Sequence, residues 1–175
     1  MWKSLFGGKK SDADAPEVGG TKELLTISTT VDVSAERAFS AFADHLGDWW
    51  PREHTRSKDA LEEIGIELRM NGRCYERNKD GSELVWGTVL SVDRPSHLVL
   101  AWQISPDGEP IENELTASRV DVRFSPVEDG GTAVLIVHRD FPRHGEGWEG
   151  YRQTMARSGG WPTLIKAFKA SLNDD

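Results

Sequence analysis

The sequence predicts an α+β fold in which a curved antiparallel sheet of about seven strands wraps around a long C-terminal helix. Three observations lead there. Apolar and polar residues alternate with period two in repeated segments between Glu62 and Arg139, punctuated by Asn-Gly and Asp-Gly turns. Helical spacing of apolar residues is confined to a short stretch after the first strand and to the C-terminal end. The connections between the repeated strands are short, which calls for antiparallel neighbours rather than crossovers.

The first strand runs from Glu23 to Val33 and is rich in β-branched residues. Ser34 follows as a helix N-cap, and Ala38, Phe39, Phe42 and Leu46 form one apolar face of a helix from Ala35 to about Ala43. Gly47 and Pro51 bracket Asp48-Trp49-Trp50 and end helix there, so two short helices at most precede the meander. Ile64, Ile66, Leu68 and Met70 then alternate with charged residues up to the Asn71-Gly72 turn. Arg73 to Arg77, Leu84 to Val92, His97 to Ile104, a strand around Val120, Val122 and Phe124, and Thr132 to Arg139 complete the set. Trp148 to Met155 begins a helical stretch, Gly159-Gly160 interrupts it, and Pro162 opens the last helix, whose buried face carries Leu164, Ile165, Phe168 and Leu172.

Composition narrows the class. The 175 residues suit one domain, read here as residues 23–175, preceded by a flexible tail over 1–22 in which Gly, Lys and Asp leave little to bury. With 29 acidic and 21 basic residues the net charge is -8, which argues against a nucleic-acid partner. No apolar run approaches the ~18 residues of a membrane-spanning helix, so no transmembrane segment is expected. A lone Cys74 precludes an internal disulfide, and the N-terminal residues lack a secretory signal pattern; a cytoplasmic setting is the reading. Seven tryptophans in a chain of this size call for an aromatic core or an aromatic-lined cavity.

Several local motifs share the order and spacing of a known superfamily. Val31-Asp32-Val33-Ser34-Ala35-Glu36-Arg37-Ala38-Phe39 resembles its opening strand-to-helix passage, and Trp49-Trp50-Pro51 its double-Trp segment. Asn71-Gly72-Arg73-Cys74-Tyr75-Glu76-Arg77, Asp80-Gly81-Ser82-Glu83 and Trp86-Gly87 resemble the central hairpin of one branch. Pro95 with Leu98 to Trp102, Gly131-Thr132 with His138-Arg139, and Gly160-Trp161 complete the resemblance, which spans about residues 24 to 172. The superfamily is the START and birch-pollen-allergen (Bet v) group, also labelled SRPBCC, and the branch is the one named for activators of the heat-shock protein 90 ATPase. The resemblance implies a helix-grip fold with a cavity between sheet and last helix. It also implies a choice among functions that fold alone does not make. Two departures stand out: Asn71 replaces a second glycine, and Cys74 replaces a bulkier aromatic, which would widen a pocket there.

Given that fold, strand parity nominates the residues that face inward. Val134, Ile136 and His138 share a face, as do Cys74 with Glu76 and Leu98, Leu100 with Trp102; Trp86 is placed inward by the resemblance. The candidate ligand-binding set is therefore Trp49, Trp50, Cys74, Glu76, Trp86, Trp102, His138, Tyr151 and Met155, with Glu76 and His138 as polar fixtures. Burial would bring the Glu76 and His138 pKa values toward neutrality. The bland alternative has Glu76 pairing at the sheet edge and His138 ending a strand. His45, Asp48 and His54 offer no metal geometry, and no nucleophile triad, phosphate loop or dinucleotide fingerprint is present; no catalytic residue, metal or cofactor is assigned.

The expected function is binding of a small apolar or amphipathic ligand. A chaperone-ATPase regulator and a cyclase- or hydrolase-like enzyme using Glu76 and His138 are the alternatives. The eukaryotic activators carry a further N-terminal domain, which these residues do not resemble. Ala133, Leu135 and Val137 form an apolar row on the face expected to be wet, compatible with a homodimer, with cover by the tail, or with scattered surface aliphatics.

Overall fold

In the computed structural model, which describes residues 15–173, the strands are β1 (Glu17–Gly20), β2 (Leu25–Val31), β3 (Leu61–Ile66), β4 (Arg73–Asn78), β5 (Glu83–Asp93), β6 (His97–Trp102), β7 (Ser118–Pro126) and β8 (Thr132–Arg139). They form one antiparallel sheet in the order β1-β2-β8-β7-β6-β5-β4-β3. Strands β3 to β8 are thus a meander, and β2 returns to pair with β8, Ile27 opposite Ile136. Irregularities in register between Cys74 and Tyr75 and between Val89 and Ser91 bend the sheet around its contents.

The residues follow the expected alternation closely on β7 and β8. Val120, Val122, Phe124, Val134 and Ile136 are all buried, and Leu135 and Val137 on the opposite face are half-buried. That outer row is one strand wide: Leu135 lies between Ser28 and Arg123, and Val137 between Thr26 and Asp121. Polar neighbours on both sides make it a row of scattered aliphatics rather than a patch.

Four α-helices accompany the sheet: α1 (Ala35–Phe39), α2 (Leu46–Trp49), α3 (Trp148–Ala156) and α4 (Trp161–Ser171). Ser34 caps α1 as expected, its hydroxyl accepting from Arg37 N at 3.2 Å. The helix then widens into a π turn over Ser40–Asp44, closed by His45 N donating to Ser40 O at 3.1 Å. This turn swings Phe42 onto Phe168 of α4, with ring centroids 5.3 Å apart. Helix α4 lies in the concave face and buries Trp161, Leu164, Ile165 and Phe168, each contributing ~1.5–3 kcal/mol of burial.

Some expectations are corrected. Gly47 sits within α2 rather than ending a helix, because α2 begins only at Leu46. Leu68 and Met70 leave the β3 alternation: β3 stops at Ile66, and Met70 is exposed. Residues 17–20, within the stretch read as a tail, form the edge strand β1, exposed and held by its ladder with β2. The rest of that stretch up to residue 14 lies outside the described residues.

Candidate functional site

A cavity of about 100 Å³ lies between the β4–β6 end of the sheet and the segment that follows α2. Trp86 and Trp102 form its floor; they belong to neighbouring strands whose register sets Gly87 opposite Trp102, and their rings stand 5.7 Å apart. Trp50 forms the roof, nearly parallel to Trp86 at 23° and 6.1 Å, and is held by its indole N–H donating to His54 O at 3.4 Å. Ile64 and Ile104 close the sides.

Two polar features define what this cavity can bind. Glu76 is buried at its rim, but its carboxylate is fully engaged: Oε1 accepts from Arg56 N at 2.9 Å, and Oε2 from Ser57 N at 3.0 Å and Ser57 Oγ at 2.7 Å. It fastens the 55–58 loop to the sheet. Trp86 presents the opposite case. Its indole Nε1 is buried and has no hydrogen-bond partner among the described residues, although it belongs to a side chain lining the cavity. Such a donor costs ~1–3 kcal/mol when left unmade.

Trp102 connects this cavity to a groove of about 510 Å³ outside it, bounded by α3 and the 105–108 loop. Trp102 Nε1 donates to the Tyr151 hydroxyl at 2.6 Å, and that hydroxyl donates to Ile104 O at 2.9 Å. Burial pushes the Tyr151 pKa above its ordinary value, so the hydroxyl keeps its proton.

His138 lies deeper, on the far side of Trp102. It is fully buried, stacked on Phe141 at 4.1 Å, and Trp161 Nε1 donates to its Nδ1 at 3.0 Å. An indole N–H only donates, so Nδ1 accepts and the neutral ring carries its proton on Nε2, which donates to Ser118 Oγ at 2.7 Å. The Ser118 hydroxyl in turn donates a hydrogen bond to His144 Nε2 at 2.6 Å, and Ser118 N donates to the same nitrogen at 3.2 Å. Burial depresses both imidazoles, with His144 drawn down to about 4 and His138 well below its usual value.

Of the predicted set, the fold brings Trp50, Glu76, Trp86 and Trp102 together around the cavity, and Tyr151 and Met155 line the outer groove with Trp102. The fold does not bring the remaining three to the lining of either space. Trp49 belongs to the core, packed on Phe42 and Phe168 at 5.0 and 5.3 Å with its N–H on Phe42 O. Cys74 is fully buried and packs against the backbone of Gly87, so the smaller side chain admits that close strand approach instead of widening a pocket. His138 is walled off by Trp102 and Phe141 and has both nitrogens bonded.

Sequence reasoning missed Ser118, one alternation step before Val120, and it missed Ile104 and Arg56, which come from loops. No three His, Cys, Asp or Glu side chains cluster for a metal among the described residues, and His45 and Asp48 form an exposed pair at 3.7 Å. Among those residues no helix is long and apolar enough to cross a membrane.

A family model described as activator of Hsp90 ATPase homolog 1-like protein matches residues 32–173. The chain belongs to this family. None of the curated proteins matches the sequence. Among solved structures, members of the Hsp90-activator-homologue family can be set beside three similar ones. The first is an anthrahydroquino-γ-pyrone synthase, Txn09, solved as a complex: 29% identity, TM-score 0.60, covering 87% of this chain and 99% of that one. The second is CalC from Micromonospora echinospora, a self-sacrificing resistance protein: 26% identity, TM-score 0.60, covering 93% and 96%. Protein NE0264 from Nitrosomonas europaea, at 16% identity and TM-score 0.62, covers 89% and 97% and shares the fold.

Proposed function

We propose that this family member binds a small, flat, uncharged molecule with a carbonyl-type oxygen, seated between Trp50 and the Trp86–Trp102 floor. The observation that carries the reading is the unpaired, buried Trp86 N–H in a cavity walled mainly by indoles and isoleucines, where Glu76 is already bonded to the Arg56–Ser57 backbone. A neutral donor among indole faces selects a neutral acceptor on a flat apolar body. The similarity to a synthase named for a fused aromatic product supports the same ligand class. A cytoplasmic setting belongs to this proposal, supported by the single, buried cysteine.

The test compares 9-fluorenone with fluorene, which has the same shape without the oxygen, by intrinsic fluorescence and calorimetry. Fluorenone is expected to bind about tenfold tighter, the difference expected when a buried donor gains its acceptor. Trp86→Phe should remove that preference while keeping fluorene binding. Equal binding of the two compounds, or no binding of either, contradicts the proposal.

The synthase relative favours a second reading in which the same cavity hosts a reaction. Glu76 and His138 lend it little, because both carboxylate oxygens of Glu76 already accept from the 56–57 segment and both His138 nitrogens are bonded. A substrate converted by the wild type and lost in Glu76→Gln, with folding intact, would decide for it. A chaperone-regulating role rests on the family description alone.

A further inference from the structure

The cavity is smaller than the ~150 Å³ that suffices to admit benzene in an engineered apolar site. A tricyclic ligand of the class proposed above therefore needs more room than this space gives. The groove beyond Trp102 supplies it: cavity and groove share Trp102 and Ile104 as common wall. Joined, they fall in the ~300–1,000 Å³ range of small-molecule sites.

One hydroxyl bonds both members of the wall between them. Tyr151 Oη binds Trp102 on one side and Ile104 O on the other, so both sides of the partition depend on it. The helix carrying Tyr151 is bounded by glycines, starting after Gly147 at φ 89° and ending before the Gly159–Gly160 junction, and its inward side chains, Trp148, Tyr151 and Met155, are only half-buried, while Arg152 ties it to Thr21 and Leu24. The loop on the opposite side of the groove, around Pro106 and Gly108, is tethered to Arg56 through the Gly108 carbonyl. Withdrawal of α3 would therefore open the groove side while the loop side stays fixed.

Moving Tyr151 aside also frees a second indole N–H. Trp102 Nε1 would then join Trp86 Nε1 as an unpaired donor in one continuous space, on rings 5.7 Å apart. We infer that cavity and groove are a single binding site divided by the Tyr151 hydroxyl, and that its ligand is a flat, uncharged, fused-ring molecule with two acceptor oxygens, one for Trp86 and one for Trp102. This rests on the binding reading above and extends it: the ligand takes the place of Tyr151 as acceptor for Trp102.

The experiment uses 9,10-anthraquinone, a tricycle with two carbonyl oxygens, and follows its association by stopped-flow fluorescence with the full chain. Tyr151→Phe keeps the ring and removes the partition's hydrogen bonds, so association should accelerate about tenfold as the closed form loses its hold. Trp102→Phe breaks the same bond from the other side. It should also accelerate association, yet weaken the final affinity for anthraquinone severalfold more than that for fluorenone, which has no second oxygen to lose a donor. Should one variant fail to fold, the other still decides. If the wild type binds but neither variant accelerates, or Trp102→Phe weakens both compounds alike, the partition and the second donor are overturned and the binding reading stands. If the wild type binds neither compound, both fall together.

Discussion

Trp86 and His138 show two ways in which a buried polar group is handled at a single position. Trp86 keeps its donor unpaired beside a cavity, whereas His138 has both nitrogens used and no cavity beside it. The first is the donor on which the proposed binding rests; the second holds Trp161 of α4 against β8. His138 also makes stability depend on pH. Its folded pKa lies well below 6.5, so between those values the unfolded chain binds the extra proton, and stability falls as pH drops below about 6.5. Urea unfolding should show lower stability at pH 5.0 than at pH 7.5, and His138→Phe should reduce that difference while leaving the part that His144 contributes in the same window. The carboxylates act in a lower window. Burial of Asp121 opposes its ionisation, but the bonds from Arg139 and His97 outweigh this and hold its pKa below 3.8, so its contribution is lost only in stronger acid. Strand alternation was enough to turn His138 inward. It could not show that Trp161, twenty-three residues later, would occupy one of its nitrogens, because that depends on how α4 settles in the sheet.

At the scale of elements, the junction between α3 and α4 is where local chemistry is most demanding. A Cβ at Gly160 would meet the carbonyl of Met155, and Gly159 stands at φ 93°. Gly160→Ala should therefore lower stability by about 1–3 kcal/mol, measured as a shift in the denaturation midpoint at constant slope. The glycine pair was readable in the sequence as an interruption. So were β8, found at Thr132–Arg139 as expected, and the Ser34 cap, since each rests on interactions within a few residues. The π turn over Ser40–Asp44 was not readable. No residue type announces it; it exists because Phe42 and Trp49 must both reach Phe168. The same holds for the 55–58 loop, whose path is set by Glu76, some twenty residues away.

For the whole molecule, the division of labour follows the sheet. Its outer face between β3 and β5 carries a ladder of ion pairs, with Arg73 bridging Glu67 and Glu83 and Arg77 bridging Glu63 and Glu83 around Tyr75. Such exposed pairs add little each, and the core and cavity lie on the other face. The exposed β1 lies at the opposite edge from the cavity. Removing residues 1–20 should change stability by less than about 1 kcal/mol and leave fluorenone affinity unaltered, checked by thermal unfolding and the same titration. A larger loss would assign that edge a greater share of the fold.

The aromatic interior has one more consequence. Trp50 stands within 5.4–6.4 Å of Trp49, Trp86, Trp102 and Trp161, so five indoles form one connected group. Excitation absorbed by any of them can migrate among the others before a photon leaves. These five of the seven tryptophans should then emit as a single composite fluorophore, and a quinone touching one of them would darken all five.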